Sequence, residues 1–563
     1  MLIELYSFTG RMPKINDKQL PLGTAVEACN FRDDSGCIEP YKNYGEPVTP
    51  TTQALTFVVW PTSEDRTWPP GADDSYIYWN KRIDYCMGVS SGYDRIIYTG
   101  DGSPKIADPL VTPLVPSKLG ISAPGTAPVA EEHTFDSSKT DIKNNLTSVC
   151  YCYTCVDNLG QESAPSPPSP VYDISSFTGG QGMRVSNMPE VGGDNNHIPQ
   201  LRVYRATAGS GGDAEFLFVG NAAAGSVFDD YDTATGTFYT GQEAIQTTSW
   251  ASPPSNLVGI VSMYGGVLAG FRKETNELCF SEPLVQYAWP EKYRIPMPQP
   301  ILDIAGFGEE LVVFMQSMIM AVRGEPGLMT VSEVYGGGGT SSVTRLGVVR
   351  SEKGILFPGH DGLYLYDGSV CINITSQAMS TTQWRSMLPD KFIAAYYDGK
   401  YWAFHEDTIK AYVFDISKGS VTSIELGELM SVKGVHADYH GRLWIQTWYK
   451  LYPWSEGTKP MEAVWMSGLV ALASPVNLSA AIIDSDSPVT EETTVSQLEI
   501  WSHYRGVKTL VFDSIAKGLQ IPLNNQFRLP GGFLTDSVQV KIKTTATIRG
   551  IRFATSMVEL SGG

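Results

Sequence analysis

The chain has 563 residues, with 11% aromatic residues, 55 glycines and 36 prolines. This length predicts three or four domains at roughly 150 residues each, and the composition favours short strands joined by tight turns, so we expect a mostly β protein. The 60 acidic residues exceed the 41 basic ones and give a formal charge of −19, which argues against a basic face that grips phosphates but not against an acidic wall along which DNA slides.

The N-terminal residues lack the basic flank and apolar stretch of a signal peptide, and no run of about 18 apolar residues occurs in the sequence. We therefore expect a protein that is made in a cytoplasm and has no membrane-spanning segment. The eight cysteines are too few and too unevenly placed for a disulfide scaffold, so most should be buried thiols.

The first part of the chain reads as strands. Residues 50–123 carry the stretches TFVVW, SYIYWN and YDRIIYTGDG, which we interpret as the first one or two blades of a β-propeller. Residues 1–49 before them are expected to form an N-terminal segment that packs on a platform or on the propeller.

Residues 124–250 have a different rhythm and are predicted to form an inserted β-sandwich of immunoglobulin or fibronectin type III size. The stretch SVCYCYTCVDNLGQESAPSPPSPV indicates a long strand, a turn at Asn158 and Gly160, and a proline-rich exit. The stretches LRVYRATAGSGG and EFLFVGNA indicate a hairpin. Both ends of the segment are rich in proline, so we expect it to fold as a unit of its own.

Residues 251–462 repeat one pattern, in which an apolar run, a turn with glycine and a run rich in Tyr, Trp, Val and Ile follow one another. The turns are marked by Gly266, Gly308, Gly362, Gly399 and Gly441, at spacings of 42, 54, 37 and 42 residues. A period near 40 residues is typical of propeller blades, so we predict about five further blades in which the glycines close hairpins and the aromatic residues pack between blades. We expect these blades and residues 50–123 to belong to one ring of six or seven.

Two further elements complete the chain. A short helix is predicted at STTQWRSML, with Ser380 or Thr381 as the N-cap and Pro389 ending it. The repeating pattern stops near residue 463, and the strand-like runs of residues 463–563 predict a C-terminal β-sandwich.

Two glycine-rich motifs suggest catalysis or phosphate binding, and both have a simpler interpretation. Residues 88–92 (Gly88, Val89, Ser90, Ser91, Gly92) match the pattern of a nucleophile elbow, but a strand-like run follows where a hydrolase needs a helix. The run from Tyr335 to Ser342 has the glycines of a phosphate cradle without its lysine. We expect both to be loops.

Three groups of residues are candidate metal ligands, and each lacks a complete ligand set. Strand alternation places Cys150 and Cys152 on one face and Cys155 on the other, and no second cluster of cysteine or histidine in the sequence offers a fourth ligand. The acidic groups around Asp229 and Asp484 lack a complete calcium loop and are interpreted as solvated turns; their members are Asp229, Asp230, Asp232, Asp484 and Asp486.

The seven histidines contain no pair at metalloprotease spacing. Three of them lie at or beside predicted blade turns: His360, His436 and His440. The others are His133, His197, His405 and His503. We expect no enzyme, no cofactor and no metal site, and no residue is assigned to catalysis.

The N-terminal sequence combines an apolar lead, a proline, a Leu-Pro pair, an Ala-x-x-Ala-x-Asn run and a Ser-Gly-x-x-x-Pro ending. The residues are Phe8, Pro13, Leu20, Pro21, Ala25, Ala28, Asn30, Ser35, Gly36 and Pro40. This combination resembles the signature of a family of bacteriophage tail proteins, the tail nozzle or tail tubular proteins of short-tailed phages. Further stretches follow in the family's order, among them FPGHDGLYLYDGS, YYDGKYWAFH and FRLPGGFL. The cysteine-rich strand at 150–155 departs from the family, which commonly has apolar residues and Thr there.

The resemblance implies a structural protein of the virion tail: a propeller with an inserted sandwich, assembled as a homo-hexameric ring below the portal and adaptor. Such a ring retains the genome end and conducts double-stranded DNA during ejection without sequence-specific binding. Its implied partners are the head-to-tail adaptor protein and tail fibre or spike proteins. No residue is assigned to the channel or its gate. The alternative is a carbohydrate- or receptor-binding tail protein, and a glycan-degrading propeller enzyme comes third.

Overall fold

The computed structural model describes residues 1–50, 53–60, 75–87, 95–109, 114–138, 148–174, 180–189, 198, 200–208, 215–231, 243–336, 343–427, 431–438, 441–486 and 493–561. Regular structure in this part of the chain is mainly strand, which confirms the all-β prediction. Two short α-helices are described, α1 (Thr381–Ser386) and α2 (Met557–Ser561). Single 3-10 turns lie at Thr247–Ser249, Tyr264–Gly266, Glu291–Tyr293 and Pro389–Lys391. These helices are all far too short to cross a membrane.

The strands before the inserted domain are β1 (Leu2–Leu5), β2 (Thr9–Arg11), β3 (Thr24–Cys29), β4 (Phe31–Arg32), β5 (Glu39–Pro40), β6 (Thr56–Trp60), β7 (Ser75–Trp79), β8 (Asp84–Met87), β9 (Ile96–Thr99), β10 (Lys105–Ala107) and β11 (Ser117–Lys118). The inserted domain has β12 (Val129–Thr134), β13 (Ser148–Val156), β14 (Tyr172–Asp173), β15 (Gln181–Ser186), β16 (Gln200–Ala208), β17 (Phe216–Ala223) and β18 (Phe228–Asp230).

The repeating region has β19 (Leu257–Ser262), β20 (Leu268–Arg272), β21 (Glu277–Phe280), β22 (Ile295–Pro296), β23 (Ile301–Phe307), β24 (Glu310–Met315), β25 (Ile319–Arg323), β26 (Thr330–Glu333), β27 (Val349–Ser351), β28 (Gly354–Pro358), β29 (Leu363–Tyr366), β30 (Cys371–Asn373), β31 (Phe392–Tyr397), β32 (Lys400–His405), β33 (Lys410–Asp415), β34 (Val421–Glu425), β35 (Gly434–Ala437), β36 (Leu443–Gln446) and β37 (Leu451–Pro453). The C-terminal strands are β38 (Ala463–Ser467), β39 (Val470–Val476), β40 (Ala480–Ser485), β41 (Val495–Tyr504), β42 (Val507–Asp513), β43 (Phe527–Arg528), β44 (Thr535–Thr544) and β45 (Ile548–Ala554).

The chain divides into two compact units. Unit 1 comprises Met1–Arg82, Val312–Ala321 and Ser332–Gly563, and unit 2 comprises Ile83–Leu311 and Val322–Val331. The predicted first blade region, 50–123, is therefore shared: β6 and β7 belong to unit 1, and β8 to β11 belong to unit 2. A further four-stranded sheet has the order β23-β24-β25-β26.

Unit 2 contains two blade-like antiparallel sheets, β8 to β11 and β19 to β22, in which neighbours in sequence are neighbours in the sheet. Their first strands, β8 and β19, lie against each other, and β19 also lies against β23. One apolar core joins the two sheets, with Ile97 and Leu119 from the first and Leu257 and Leu268 from the second fully buried. This is the packing of consecutive propeller blades.

The inserted sandwich also lies in unit 2. Its sheets have the orders β12-β15-β18 and β14-β13-β16-β17, and both cover a core in which Val149, Tyr151, Val185 and Val203 are fully buried. The predicted turn after β13 is present, with Gly160 at φ 78°.

Unit 1 contains further sheets of the blade type: β27 to β30, β31 to β34, β35 to β37 and the hairpin β6–β7. Their first strands again follow one another in space, from β27 to β31, β35 and β6. Aromatic residues fill the spaces between sheets, as predicted: Trp402 and Trp454 lie 5.7 Å apart between ring centroids, and Phe57 meets Trp444 at 6.4 Å. That all the blades close into one ring stays a prediction.

The five marker glycines all close antiparallel hairpins, as the spacing predicted. Four of them connect the first and second strands of their sheets and have positive φ: Gly266, Gly308, Gly399 and Gly441. Gly362 instead connects β28 and β29, the second and third strands. It closes its turn by accepting a hydrogen bond from the Gly359 N–H at 2.8 Å.

The C-terminal sandwich includes the N-terminal segment. Strand β1 pairs with β45 in the sheet β1-β45-β40-β43, and β3 pairs with β38 in an eleven-stranded sheet. Residues from both ends of the chain share one core, among them Leu5, Phe8, Trp465 and Phe553. The sequence predicted residues 1–49 as a segment packed on a platform or the propeller. In the structure they supply strands to the sandwich, and β2 and β3 also pair with blade strand β34.

The eleven-stranded sheet is continuous from a blade into the sandwich. Its path runs β31-β32-β33-β34-β2-β3-β38-β44-β41-β42, with β39 beside β44. Strands β2 and β3 therefore connect blade strand β34 to sandwich strand β38. Main-chain hydrogen bonds hold this connection.

Helix α1 forms where the sequence predicted it. The Ser380 side chain accepts a hydrogen bond from the Gln383 N–H, and the Gln383 side chain accepts one from the Ser380 N–H, so the N-terminus is a complete capping box. Pro389 begins the 3-10 turn that follows.

Candidate functional site

The largest group of charged side chains in the described part of unit 1 lies beside the N-terminal strands. Asp33 and Asp34 follow β4, Lys400 begins β32, Asp415 ends β33, and Lys418 lies in the next turn. The Lys400 Nζ lies 2.9 Å from Asp33 Oδ1 and 2.7 Å from Asp34 Oδ1. The Lys418 Nζ lies 3.4 Å from Asp33 Oδ2 and 3.7 Å from Asp415 Oδ2. We call these five residues the junction cluster.

Two tight turns present the carboxylates. In the first, the Gly36 N–H donates to the Asp33 carbonyl at 3.1 Å, and Gly36 has φ 73°. In the second, Asp415 Oδ1 accepts hydrogen bonds from the Ser417 N–H at 2.8 Å and from its hydroxyl at 2.6 Å. Such short-range hydrogen bonds are typical of aspartate turns.

Burial sets the electrostatics of the junction cluster. Desolvation acts to lower the pKa of Lys400, but the attraction of Asp33 and Tyr41 together with the hydrogen bonds to Asp33 and Asp34 outweighs it, and the pKa is raised. Desolvation acts to raise the pKa of Asp415, but hydrogen bonds from Ser417 and Lys418 lower it on balance. Lys400 and Asp33 therefore face each other as a buried ion pair.

The cluster has the donors of a cation site but already holds cations of its own. Oxygens of Asp33, Asp34 and Asp415 lie within 4.8 Å of one another. Calcium would need six or more oxygens, and it would have to displace the Lys400 and Lys418 ammonium groups. The arrangement is best explained as a set of structural ion pairs that link the N-terminal segment to the blade β31 to β34.

The residues that carry the family resemblance lie near the junction cluster. Phe8 is fully buried edge-on against Trp465, with ring centroids 4.8 Å apart. Ala25 and Ala28 are buried in the same core. Asn30, at φ 61°, donates from its side chain to the Glu462 carbonyl at 3.0 Å and accepts from the Glu425 N–H at 2.8 Å. Asn30 thus bridges the blade and the sandwich.

The interpretation of the acidic groups as solvated turns is wrong for two of their members. Asp230 lies in β18 and is buried, with its carboxylate 2.6 Å from Arg205 Nη1 and 2.7 Å from the Tyr151 hydroxyl. Asp484 lies in β40 and accepts two hydrogen bonds of 2.9 Å from Arg552. Both form ion pairs with strand arginines, a pairing that the local sequence does not reveal because the partners are 25 and 68 residues away.

The remaining acidic residues also meet arginines where the structure describes them. Asp229 accepts hydrogen bonds of 2.6 and 2.9 Å from Arg184, and Asp486 lies 3.0 Å from Arg549. Asp232 lies outside the described residues.

The predicted alternation of the three cysteines is confirmed. Strand β13 is paired with β16 without a bulge, and Cys155 lies in the sandwich core with Tyr151 and Tyr153, on the face opposite Cys150 and Cys152. Burial raises the pKa of Cys152 to about 12. The three sulfurs therefore cannot share one tetrahedral site.

Of the other candidate motifs and histidines, some lie outside the described residues, and the rest lie apart from the junction cluster. The elbow pattern at 88–92 and most of the glycine run, 337–342, lie outside the described residues, as do His197 and His440. His360 lies beside the Gly362 turn, whereas His436 lies within β35, and desolvation lowers its pKa to about 4. His405 is buried, with its Nε2 2.6 Å from the Met387 carbonyl.

Sequence reasoning missed the junction cluster. Its five members lie at positions 33, 34, 400, 415 and 418, so no local motif contains them all. The available signal was the pair Asp33-Asp34 within the family signature, next to the Ser-Gly turn.

Distant likenesses to this chain are found among solved structures. No family model matches it, and no curated sequence matches it either. It is similar to a solved streptogramin B lyase (10% identity over 46% of this chain and 89% of that chain, TM-score 0.27). It is also similar to the WD40 domain of Pan2 from Neurospora crassa (8%, 46% and 87%, TM-score 0.27) and to a glutaminyl cyclase from Myxococcus xanthus (12%, 35% and 89%, TM-score 0.21). Likenesses of this size do not bear on activity.

Proposed function

We propose that the protein is a structural component of a phage virion tail, a nozzle that forms a ring below the portal and adaptor, retains the genome end and conducts DNA during ejection. The proposal rests on the sequence resemblance given above. It includes a homo-hexamer in contact with the adaptor and with fibre or spike proteins, located in the virion tail.

The observation that carries the proposal is the position of the resemblance-bearing residues. Phe8, Ala25, Ala28 and Asn30 lie where a blade sheet continues into the C-terminal sandwich. They fill a core and connect strands, so the resemblance concerns architecture. Main-chain hydrogen bonds continue from the blade into the sandwich, an arrangement that suits a structural part which retains the genome end.

The charge balance is compatible with this role. Six copies, each with a formal charge of −19, would carry about −114. We expect acidic side chains to outnumber basic ones along the channel, because a row of cations would hold the phosphates of passing DNA.

Electron microscopy of virions, with gold-labelled antibody raised against the purified chain, tests the assignment. We expect label and a six-fold ring at the distal part of the tail. Label on the capsid or on peripheral fibres, or a channel lined by Lys and Arg, would contradict the nozzle.

A second candidate function is receptor or carbohydrate binding by the inserted sandwich. It is favoured by a group of three aromatic side chains, His133, Phe135 and Tyr231, with centroid distances of 4.9 and 4.5 Å. Tyr231 is 59% exposed, and exposed aromatic rings are common in sugar sites. Purified protein should then bind host polysaccharide, and Tyr231→Ala should weaken that binding, whereas the exposed Tyr449→Ala should not.

A further inference from the structure

A pocket whose lining residues all belong to unit 2 opens at one end of two neighbouring sheets. Successive antiparallel strands place alternate turns at the same end, and there the β19–β20, β23–β24 and β25–β26 turns meet. The cavity measures about 250 Å³. Its apolar walls include Met263, Val267, Pro326 and Met329, and the exposed Tyr264 stands at its side.

The charges at this pocket are all negative. Glu309 and Glu325 line it and are exposed, and neither forms an ion pair with any residue that the structure describes. Among the residues that the structure describes, no basic side chain lines the cavity. The nearest arginine in sequence, Arg323, is engaged with Glu310 at 2.5 Å.

The size of the pocket favours a side chain over a small molecule. Ligand pockets typically measure roughly 300–1,000 Å³ and are deeply enclosed, whereas this one is smaller and opens to solvent. The apolar walls can contact the aliphatic stem of a lysine or arginine and an apolar residue beside it, while the two free carboxylates at the rim can pair with its charged group.

The same chain carries such a group elsewhere, at the tip of the β41–β42 hairpin in unit 1. The two-residue turn is Arg505-Gly506, with φ 50° and 81°, the geometry of a type I′ turn that ordinarily takes Asn or Gly first. An arginine in this left-handed conformation is strained, and strain retained at an exposed tip points to a function.

Two cations of the hairpin lie over aromatic rings. The Arg505 guanidinium lies over the Tyr504 ring at 5.2 Å, and the Lys508 ammonium lies over the Trp501 ring at 4.7 Å. Val507 between them is 63% exposed. Asp536, the acid at this turn, is occupied by the Arg505 N–H at 2.9 Å and the Ser537 hydroxyl at 2.9 Å.

We propose that the β41–β42 hairpin of one copy docks into the Glu309/Glu325 pocket of a second copy. Residues 501–508 contain no acidic residue in a chain that is strongly acidic, and they meet a pocket whose lining contains no base, so the surfaces are complementary. Because hairpin and pocket are different surfaces, the contact is head-to-tail and repeats from copy to copy. It deepens the proposed function, on which it rests, by naming the contact between ring neighbours.

A peptide tests the contact directly. The probe is the labelled peptide WSHYRGVKTLVF, residues 501–512, titrated against the full chain by fluorescence anisotropy. We expect saturable binding that weakens at least tenfold when the chain carries Glu309→Lys and Glu325→Lys. The charge-matched control, Glu274→Lys with Glu352→Lys, should bind as the unchanged chain does. Equal binding to both variants would overturn the proposal.

Mixing two full-length variants covers the case in which the free peptide fails to fold. A chain with R505E and K508E and a chain with E309K and E325K should each sediment as single copies at 0.1 mM and physiological salt, and their mixture should associate because each surface then meets its opposite. A mixture that sediments as the sum of its parts would rule out this contact.

The two proposals fail separately. If virions show the ring but the mixed variants do not associate, only the hairpin contact falls. If the variants associate but no ring lies in the tail, the nozzle assignment falls and the self-contact stands.

Discussion

At the scale of single residues, neighbouring side chains of one type differ by what surrounds them. Asp229 and Asp230 are adjacent in β18, and each faces an arginine. The Arg184–Asp229 pair keeps 29% and 22% of its side-chain exposure, whereas the Arg205–Asp230 pair keeps 4% and 2%. Water screens the first pair and is excluded from the second.

We therefore predict very different costs for the same substitution. Asp230→Asn leaves the Arg205 charge buried without its counter-ion and should lower the free energy of unfolding by about 3–5 kcal/mol. Asp229→Asn, the matched control, should cost less than about 1 kcal/mol. Denaturant titration of the full chain measures both, and similar losses would refute the contrast.

His436 predicts a pH dependence. Desolvation lowers its pKa to about 4, below the value of about 6.5 for a free histidine. The unfolded chain binds the proton more readily, so the neutral ring stabilises the fold above pH ~6.5, and this contribution is lost as the pH falls toward 4. The loss should reach at most about 3 kcal/mol.

Thermal unfolding between pH 4 and 7 checks this dependence. The variant His436→Gln should show a flatter change in midpoint, while His360→Gln, at an exposed histidine, should follow the unchanged chain. A steep decline that persists in His436→Gln would place its origin elsewhere.

Arg505 predicts a gain in stability on substitution. Asn adopts the left-handed conformation more readily than Arg, so Arg505→Asn should stabilise the chain by about 0.5–1 kcal/mol. Lys508→Asn removes the same charge from a strand position and should give no such gain. If both variants lost stability, the turn would be structural and the strain argument would fail.

At the scale of elements, the N-terminal strands are integral to the C-terminal sandwich. Phe8 has no exposed surface, and it packs against Trp465. We predict that Phe8→Ala lowers the free energy of unfolding by about 3–5 kcal/mol through the cavity it leaves. Leu22→Ala, at a side chain that is 65% exposed, should change it by less than about 0.5 kcal/mol. Chemical denaturation of both variants decides, and a mild effect at Phe8 would mean that the segment is peripheral.

The elements differ in how far the sequence predicts them. Hairpins at Gly308 and Gly399 and the capping box at Ser380 depend on residues within a few positions, and sequence reasoning found them. The pairing of β3 with β38 joins residues more than 430 positions apart, and the local sequence of neither strand identifies its partner. The junction cluster was missed for the same reason, since Lys400 finds Asp33 only once the sheet has formed.

At the scale of the whole molecule, charge is the property most directly linked to the proposed passage of DNA. With 60 acidic and 41 basic residues, the chain should bind duplex DNA more weakly than about 10⁻⁴ M at physiological salt, the weak end of the range for non-specific binders. Filter binding with a 30-base-pair duplex measures this, at two salt concentrations. Tight binding with a steep salt dependence would show a basic track and contradict the acidic channel.

The pairing of Leu2 with Ala554 in β1 and β45 also sets the order in which the protein can be made. At about 5–20 residues per second, the ribosome releases the last strands roughly half a minute to two minutes after β1 emerges. Until then β1, β2 and β3 have no partners from the sandwich, and open strand edges invite association between nascent chains. Synthesis should therefore be the stage at which this protein depends most on chaperones, and slowing translation near its end should lower the yield of folded chain more than slowing it near the start.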